Sequence, residues 1–214
     1  MKKSVYSIVL ADDVVSAIDE MAYTLGTSRS NLINQILAER VSMMTPEMRM
    51  RDIFSRIEQL MSGGLMQIAQ SGGSSMMMKS PLKYKYRPTV NYSVELSRTF
   101  EGAVGKLRVS LRTQSSGLIG MIGSFFKLWV RLEEKYLSSM FTGGIPWDGS
   151  DASFTRAFYS PNGSVLSDEQ IAEAIGGYIS LLDECIRLYF ENENPASLIE
   201  EKYRAYLSKG VLIL

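Results

Sequence analysis

At 214 residues, with 45% apolar and 21% charged side chains, the chain has the size and composition of one generous domain or two modest ones, and wholesale disorder is excluded. Its single cysteine, Cys185, rules out an internal disulfide framework, and the absence of histidine removes the commonest transition-metal ligand and general base. Its 23 basic and 23 acidic side chains cancel, which argues against nucleic-acid binding through a broad positive field but leaves room for a small dedicated module.

The charges are unevenly spread. Residues 81–113 carry seven basic and two acidic side chains, and residues 114–214 carry eight and thirteen. No basic region followed by an apolar core opens the chain, and the most apolar run, 118–130, is interrupted by Ser124 and Lys127 and is too short for a bilayer. A cytoplasmic protein without membrane contact, cofactor or metal is therefore expected.

Residues Val5 to Leu10, "VYSIVL", are β-branched, aromatic and apolar and predict a short strand. Asp12 and Asp13 then suit the positive end of a helix along which Val14, Ile18, Met21, Ala22 and Leu25 recur at helical spacing, with Gly26 as its stop. A second helix is predicted to begin near Ser28, whose hydroxyl can cap free amides, with Leu32, Ile33, Ile36, Leu37 and Val41 as its apolar stripe. A unit of about forty residues is too small to stabilise itself by burial alone, and its single strand has two unpaired edges. A second copy is needed. Two copies of the strand would form an antiparallel ribbon, cover its inner face with four helices and leave its outer face free to enter a groove.

The stretch "YSIVLADDVVSAIDEMAYTLGTSRSNLINQILAER" resembles the ribbon-helix-helix DNA-binding fold of the CopG, Arc and MetJ class, with the turn G-x-S-R-S-x-L-I at Gly26 to Ile33. The resemblance covers about residues 1–44. It implies an obligate homodimer on double-stranded DNA, with the start of the second helix clamping the DNA backbone. The residues allow the same reading: four amides at a helix start lack internal partners, and with the helix dipole they suit a phosphate oxygen. Thr27, Ser28, Arg29, Ser30 and Asn31 lie there. If Tyr6, Ile8 and Leu10 face the helices, then Lys3, Val5, Ser7 and Val9 face outward by alternation. Family members present polar or basic residues at these outward positions to read base edges; here only Lys3 and Ser7 offer hydrogen bonds, while Val5 and Val9 suit thymine methyls.

Thr45 and Pro46 predict another helix start, followed by Met50, Ile53, Phe54, Ile57, Leu60 and Met61 at spacings of three and four. This helix is free either to pair with its symmetry mate or to pack on the downstream domain. The run "SGGLMQIAQSGGSSMMMKSP" reads as a flexible linker with Met76, Met77 and Met78 as a mobile contact. Residues 45–80 thus form a helix and linker ahead of a domain at 81–214. In that domain "TVNYSVELS" and "KLRVSLRT" predict a hairpin, preceded by "KYKYRP", where Lys and Arg interleave with Tyr84, Tyr86 and, further on, Tyr92. That block suits either nucleic-acid stacking and phosphate neutralisation or a solvated sheet face. A long apolar helix over Leu118 to Phe141 comes next, broken by "TGGIPWDGSD". Ser167 and Gln170 predict a capping box with Leu166 and Ile171 as its hydrophobic staple, opening a helix through Ile175, Ile179, Leu182, Ile186 and Tyr189. Asn194 and Pro195 start a last helix that ends before Gly210, and "VLIL" reads as a buried strand added to the hairpin sheet.

Catalysis finds no support. Glu133 and Glu134, like Asp183 and Glu184, are adjacent and point in different helical directions. Cys185 has no histidine partner and reads as a buried structural thiol, and "GSDAS" and "PNGS" are turn chemistry. The expectation is an α+β chain: an N-terminal ribbon-helix-helix module, then a mainly helical α+β domain with a β-hairpin that oligomerises the protein or senses a ligand or protein partner. The function expected is a dimeric transcriptional repressor. Its alternatives are an antitoxin-like protein that wraps a partner with its C-terminal part, and a segregation or mobile-element protein that coats DNA.

Overall fold

The computed structural model describes residues 5–85, 87–100, 102–141, 144–161 and 164–214. The chain divides into two units, residues 1–48 and 49–214.

The first unit holds α1 (Asp12–Thr24) and α2 (Arg29–Arg40). Only Ile18, Ala22 and Leu32 are buried together, with Ile33 packed against them. Residues 5–10 belong to no strand and are exposed along their length, as are Val14, Met21, Ile36, Leu37 and Val41 from the predicted stripes. A strand is defined by its pairing, and these six residues have no paired segment among the described residues.

The second unit is an α+β fold built on a six-stranded antiparallel sheet. Helix α3 (Pro46–Met61) begins where Thr45 Oγ1 accepts the Met48 amide at 3.1 Å, and its Met50, Ile53, Phe54, Ile57 and Met61 enter the main core. The strands are β1 (Gln67–Gly72), β2 (Ser75–Pro81), β3 (Thr89–Leu96), β4 (Ala103–Leu111), β5 (Trp147–Ser150) and β6 (Ser153–Tyr159), in the order β1-β2-β3-β4-β6-β5. Between β4 and β5 lie α4 (Ser116–Leu137) and a turn of 3-10 helix at Ser138–Met140; α5 (Asp168–Glu191) and α6 (Ala196–Leu207) come after β6. One face of the sheet is buried with the helices, through Met76, Met78, Val90, Tyr92, Val94, Leu107, Val109, Phe154 and Phe158. The opposite face turns out Lys79, Glu95, Lys106 and Arg108. This is the two-layer solution to covering one apolar sheet face.

Several expectations change here. The stretch expected to be a flexible linker is the β1–β2 hairpin. Gly72 pairs with Ser75 across a two-residue turn in which Gly73 takes φ +61°, a region open to glycine without steric cost. Met76 and Met78 are wholly buried, while Met77 between them remains 42% exposed, so strand alternation makes the methionines core residues rather than a mobile contact. Helix α3 and this hairpin therefore belong to a unit that starts at Arg49, not to a segment separate from a domain at 81. The predicted hairpin of 89–113 is present as β3 and β4. From within the break "TGGIPWDGSD" onward, residues 147–159 supply two further strands that were not expected; between them "GSDAS" does form the turn, joining Ser150 to Ser153. The last four residues form no strand: Ile213 and Leu214 are buried, but the Leu214 backbone oxygen is bonded by the Arg156 side chain rather than by a neighbouring strand. Apolar content set their burial and said nothing of their pairing.

The helix starts agree closely with the sequence. Ser167 accepts the Gln170 amide at 3.1 Å while Gln170 Oε1 accepts the Ser167 amide at 2.9 Å, closing the capping box, and Leu166 and Ile171 are both buried beside it. Among the described residues no helix is long and apolar enough to cross a membrane.

Candidate nucleic-acid interface and the buried polar clusters

The turn between α1 and α2 is built from local rules. The Thr27 amide donates to the Ala22 carbonyl at 2.9 Å and the Gly26 amide to the Tyr23 carbonyl at 3.1 Å, the paired bonds that close a helix when the next residue turns left-handed. Gly26 supplies that turn with φ +59°. Ser28, extended at φ −83° and ψ 151°, then accepts the Asn31 amide at 3.3 Å. The Leu32 amide reaches the Ser28 carbonyl at 3.0 Å, which leaves the Arg29 and Ser30 amides at the open mouth of α2.

Thr27, Ser28, Arg29, Ser30 and Asn31 are thus gathered at one helix start, all exposed or half-buried. Arg29 is not idle. Its Nε and Nη2 both donate to the Asp19 carboxylate on α1, a two-pronged pair open to solvent, and this bond holds the guanidinium above its ordinary pKa. Sequence reading missed Asp19, although its ten-residue spacing from Arg29 across a tight turn was the available signal. In residues 5–10, Val5 and Val9 are 99% exposed and Ser7 is exposed too. Lys3 lies outside the described residues. Tyr6, Ile8 and Leu10, expected to face a helical core, are also exposed.

Two of the three tyrosines of the basic region are engaged by the protein itself. Tyr92 is buried, and its hydroxyl donates to Asp183 Oδ1 at 2.8 Å; Tyr84 packs edge-on against Phe190 at 5.4 Å between ring centres. Tyr86 lies outside the described residues. Alternation explains Tyr92, since Val90, Tyr92 and Val94 share the inward face of β3.

One acidic residue of each adjacent pair lies in the interior and is paired there. Glu133 and Asp183 point inward while Glu134 and Glu184 point out. Glu133 Oε1 lies 3.0 Å from Nε of Arg156 on β6, both side chains essentially inaccessible. Arg156 Nη1 also donates to the Ala157 and Leu214 backbone oxygens. Its guanidinium lies 5.2 Å from the Tyr178 ring centre and 5.5 Å from those of Phe141 and Phe158. Burial pushes the Glu133 carboxyl above its ordinary range, and the Arg156 charge and Tyr178 hydroxyl pull it back. Trp129 Nε1 donates to Tyr178 Oη at 2.9 Å, extending the cluster across α4 and α5. Asp183 is held by Tyr92 and by Arg187 one turn along α5.

These are buried ion pairs, each with polar atoms left over: Arg156 Nη2 and Arg187 Nε have no hydrogen-bond partner among the described residues. Cys185 is fully buried, and burial pushes its thiol up to about 12, so the thiolate that a nucleophile requires is disfavoured. Among the described residues no group of three or more acidic or cysteine side chains is placed to hold a metal ion. Of the "PNGS" turn, Asn162 and Gly163 lie outside the described residues. No protein family, curated protein or solved structure matches the chain.

Proposed function

We propose that the protein is a dimeric, sequence-directed DNA-binding regulator, a transcriptional repressor whose first unit is a ribbon-helix-helix module. The observation that carries this reading is the mismatch between burial and apolar content in residues 5–44. Three residues are buried, while Val5, Tyr6, Ile8, Val9, Val14, Met21, Leu25, Ile36, Leu37 and Val41 are exposed. A unit so poorly covered does not hold its own fold. A second copy, with the two 5–10 segments paired antiparallel, would cover Tyr6, Ile8 and Leu10 and turn Val5, Ser7 and Val9 outward into a major groove. The capped mouth of α2, with the Arg29 and Ser30 amides open and the Arg29 side chain beside them, then meets a phosphate on the flank. The second unit raises local concentration on DNA or receives a ligand.

The test is selection of bound sequences from a random DNA pool by the full chain, and then titrations of variants. Arg29→Ala should weaken binding to every sequence by a similar factor and reduce the salt slope by about one, as for a phosphate contact. Ser7→Ala should instead alter preference among sequences. A chain that enriches no sequence and binds DNA no better than its Arg29→Ala variant refutes the proposal.

A further inference from the structure

The second unit has a groove of about 400 Å³ between α4 and the β5–β6 hairpin. Its floor is apolar. Phe126 and Val130 come from α4, and Trp147 from β5 is 46% exposed in it. The groove exists because the hairpin tip approaches α4 at Gly123, where a Cβ would stand 2.8 Å from the Asp151 backbone oxygen. The tip touches the helix there, and the flanking strand stands off it. The size falls in the range of roughly 300–1,000 Å³ that small-molecule sites occupy.

The charges around that floor are the informative part. Lys127 and Arg131 are four residues apart on α4, so their side chains leave the same helix face one turn apart, about 5–6 Å between Cβ atoms. Like charges so placed repel unless an anion lies between them. Glu134 and Asp151 line the same groove, yet among the described residues neither makes an ion pair with Lys127 or Arg131. The rim therefore holds two cations and two anions that have no ion pair among the described residues, over an apolar floor. A simple carboxylate would satisfy the cations and be repelled by the acids. A simple amine would do the reverse.

The geometry points to a binding site for a small zwitterion with an apolar body, an α-amino acid with an aromatic side chain. Its carboxylate bridges Lys127 and Arg131, its ammonium group meets Glu134 or Asp151, and its ring lies on Phe126, Val130 and Trp147. The site stands whether or not the first unit binds DNA, because it uses residues of the second unit alone.

L-phenylalanine, phenylacetate and phenethylamine are titrated into the full chain by calorimetry. In parallel, acrylamide quenching of tryptophan fluorescence is recorded; Trp129 is buried, so the quenchable signal is that of Trp147. L-phenylalanine is expected to bind and to shield Trp147, and each single-charge analogue to bind at least about tenfold more weakly, since each lacks one charge-assisted contact. Lys127→Ala and Arg131→Ala, at exposed helix positions where the fold is retained, should each weaken L-phenylalanine by about tenfold, and Lys127→Arg should keep binding. No binding by L-phenylalanine at about 10 mM, or binding of phenylacetate within a factor of about ten of it, overturns the assignment.

Discussion

Replacing Glu133 with alanine should be among the most damaging single changes in the protein, and the reason can be worked from its partner. In the folded chain Arg156 is wholly inaccessible; its Nε faces Glu133, its Nη1 faces two backbone oxygens, and its Nη2 has no hydrogen-bond partner among the described residues. Removing the carboxylate leaves a buried guanidinium without its counter-charge, at a cost of about 3–5 kcal/mol, about a fifth or more of a typical domain's stability. The paired change Glu133→Leu with Arg156→Met removes both charges and keeps the volume filled, so it should lie within about 1 kcal/mol of the parent or above it. Guanidinium chloride unfolding monitored by Trp129 fluorescence reads this directly, because Trp129 is bonded to Tyr178 in the same cluster. The four-membered cycle gives the coupling energy. A Glu133→Ala variant that loses under about 1 kcal/mol, or a double variant as damaged as the single one, would refute the reasoning.

The same carboxyl sets a pH signature. It sits above its ordinary 4.5, so between 4.5 and the folded value the folded chain holds a proton that the unfolded chain has released, and above the folded value Glu133 is the carboxylate that faces Arg156; the contribution of the bound proton is full below 4.5 and lost as pH rises through the folded value. Glu133→Gln should flatten that part of the stability profile in unfolding titrations. At Gly105 a Cβ would meet the Glu95 carbonyl oxygen at 2.4 Å, backbone that cannot swing aside, so Gly105→Ala should cost roughly 1–3 kcal/mol by thermal unfolding, and an unchanged melting temperature would contradict the close β3–β4 approach. Asp19→Asn should free Arg29 and remove a charge that repels phosphate, raising DNA affinity at low salt where Arg29→Ala lowers it; equal signs in a binding titration would detach Asp19 from the site. Cys185 should resist iodoacetamide at pH 8 in the native chain and react at once in denaturant, as mass spectrometry would record.

Where one residue does one local job, the sequence was readable. Gly26, Ser28, Thr45 and the Ser167–Gln170 box mark helix ends at close to the observed positions, because caps are decided by neighbours three or four residues away. The β1–β2 hairpin was hidden by composition. Methionine and serine are weak strand formers, and a Gly/Ser-rich stretch suggests a tether; the signal present was the Gly73–Ser74 pair between two runs of strand length. Strand β6 was hidden by Arg156, since "SFTRAFY" alternates as a half-buried strand only if an arginine is allowed to face the core. What made that tolerable is Glu133, twenty-three positions earlier and on another element, and no local pattern carries that information. For the candidate site, the clustering of residues 27–31 was legible from the turn, whereas the Arg29–Asp19 pair depends on how two helices cross.

The three consecutive methionines of β2 make that strand its own reporter of motion. Met77 faces solvent and should be oxidised by dilute peroxide in the folded protein, while Met76 and Met78, one residue to either side, are sealed at 0% exposure. Their oxidation requires the strand to leave the core, so the ratio of sulfoxide at Met76 and Met78 to that at Met77 measures the free energy of opening that part of the sheet. All three sites sit on a single peptide, share one chemistry and differ only in the face of the sheet they occupy. A peroxide time course would then separate local fraying from global unfolding without any label being introduced.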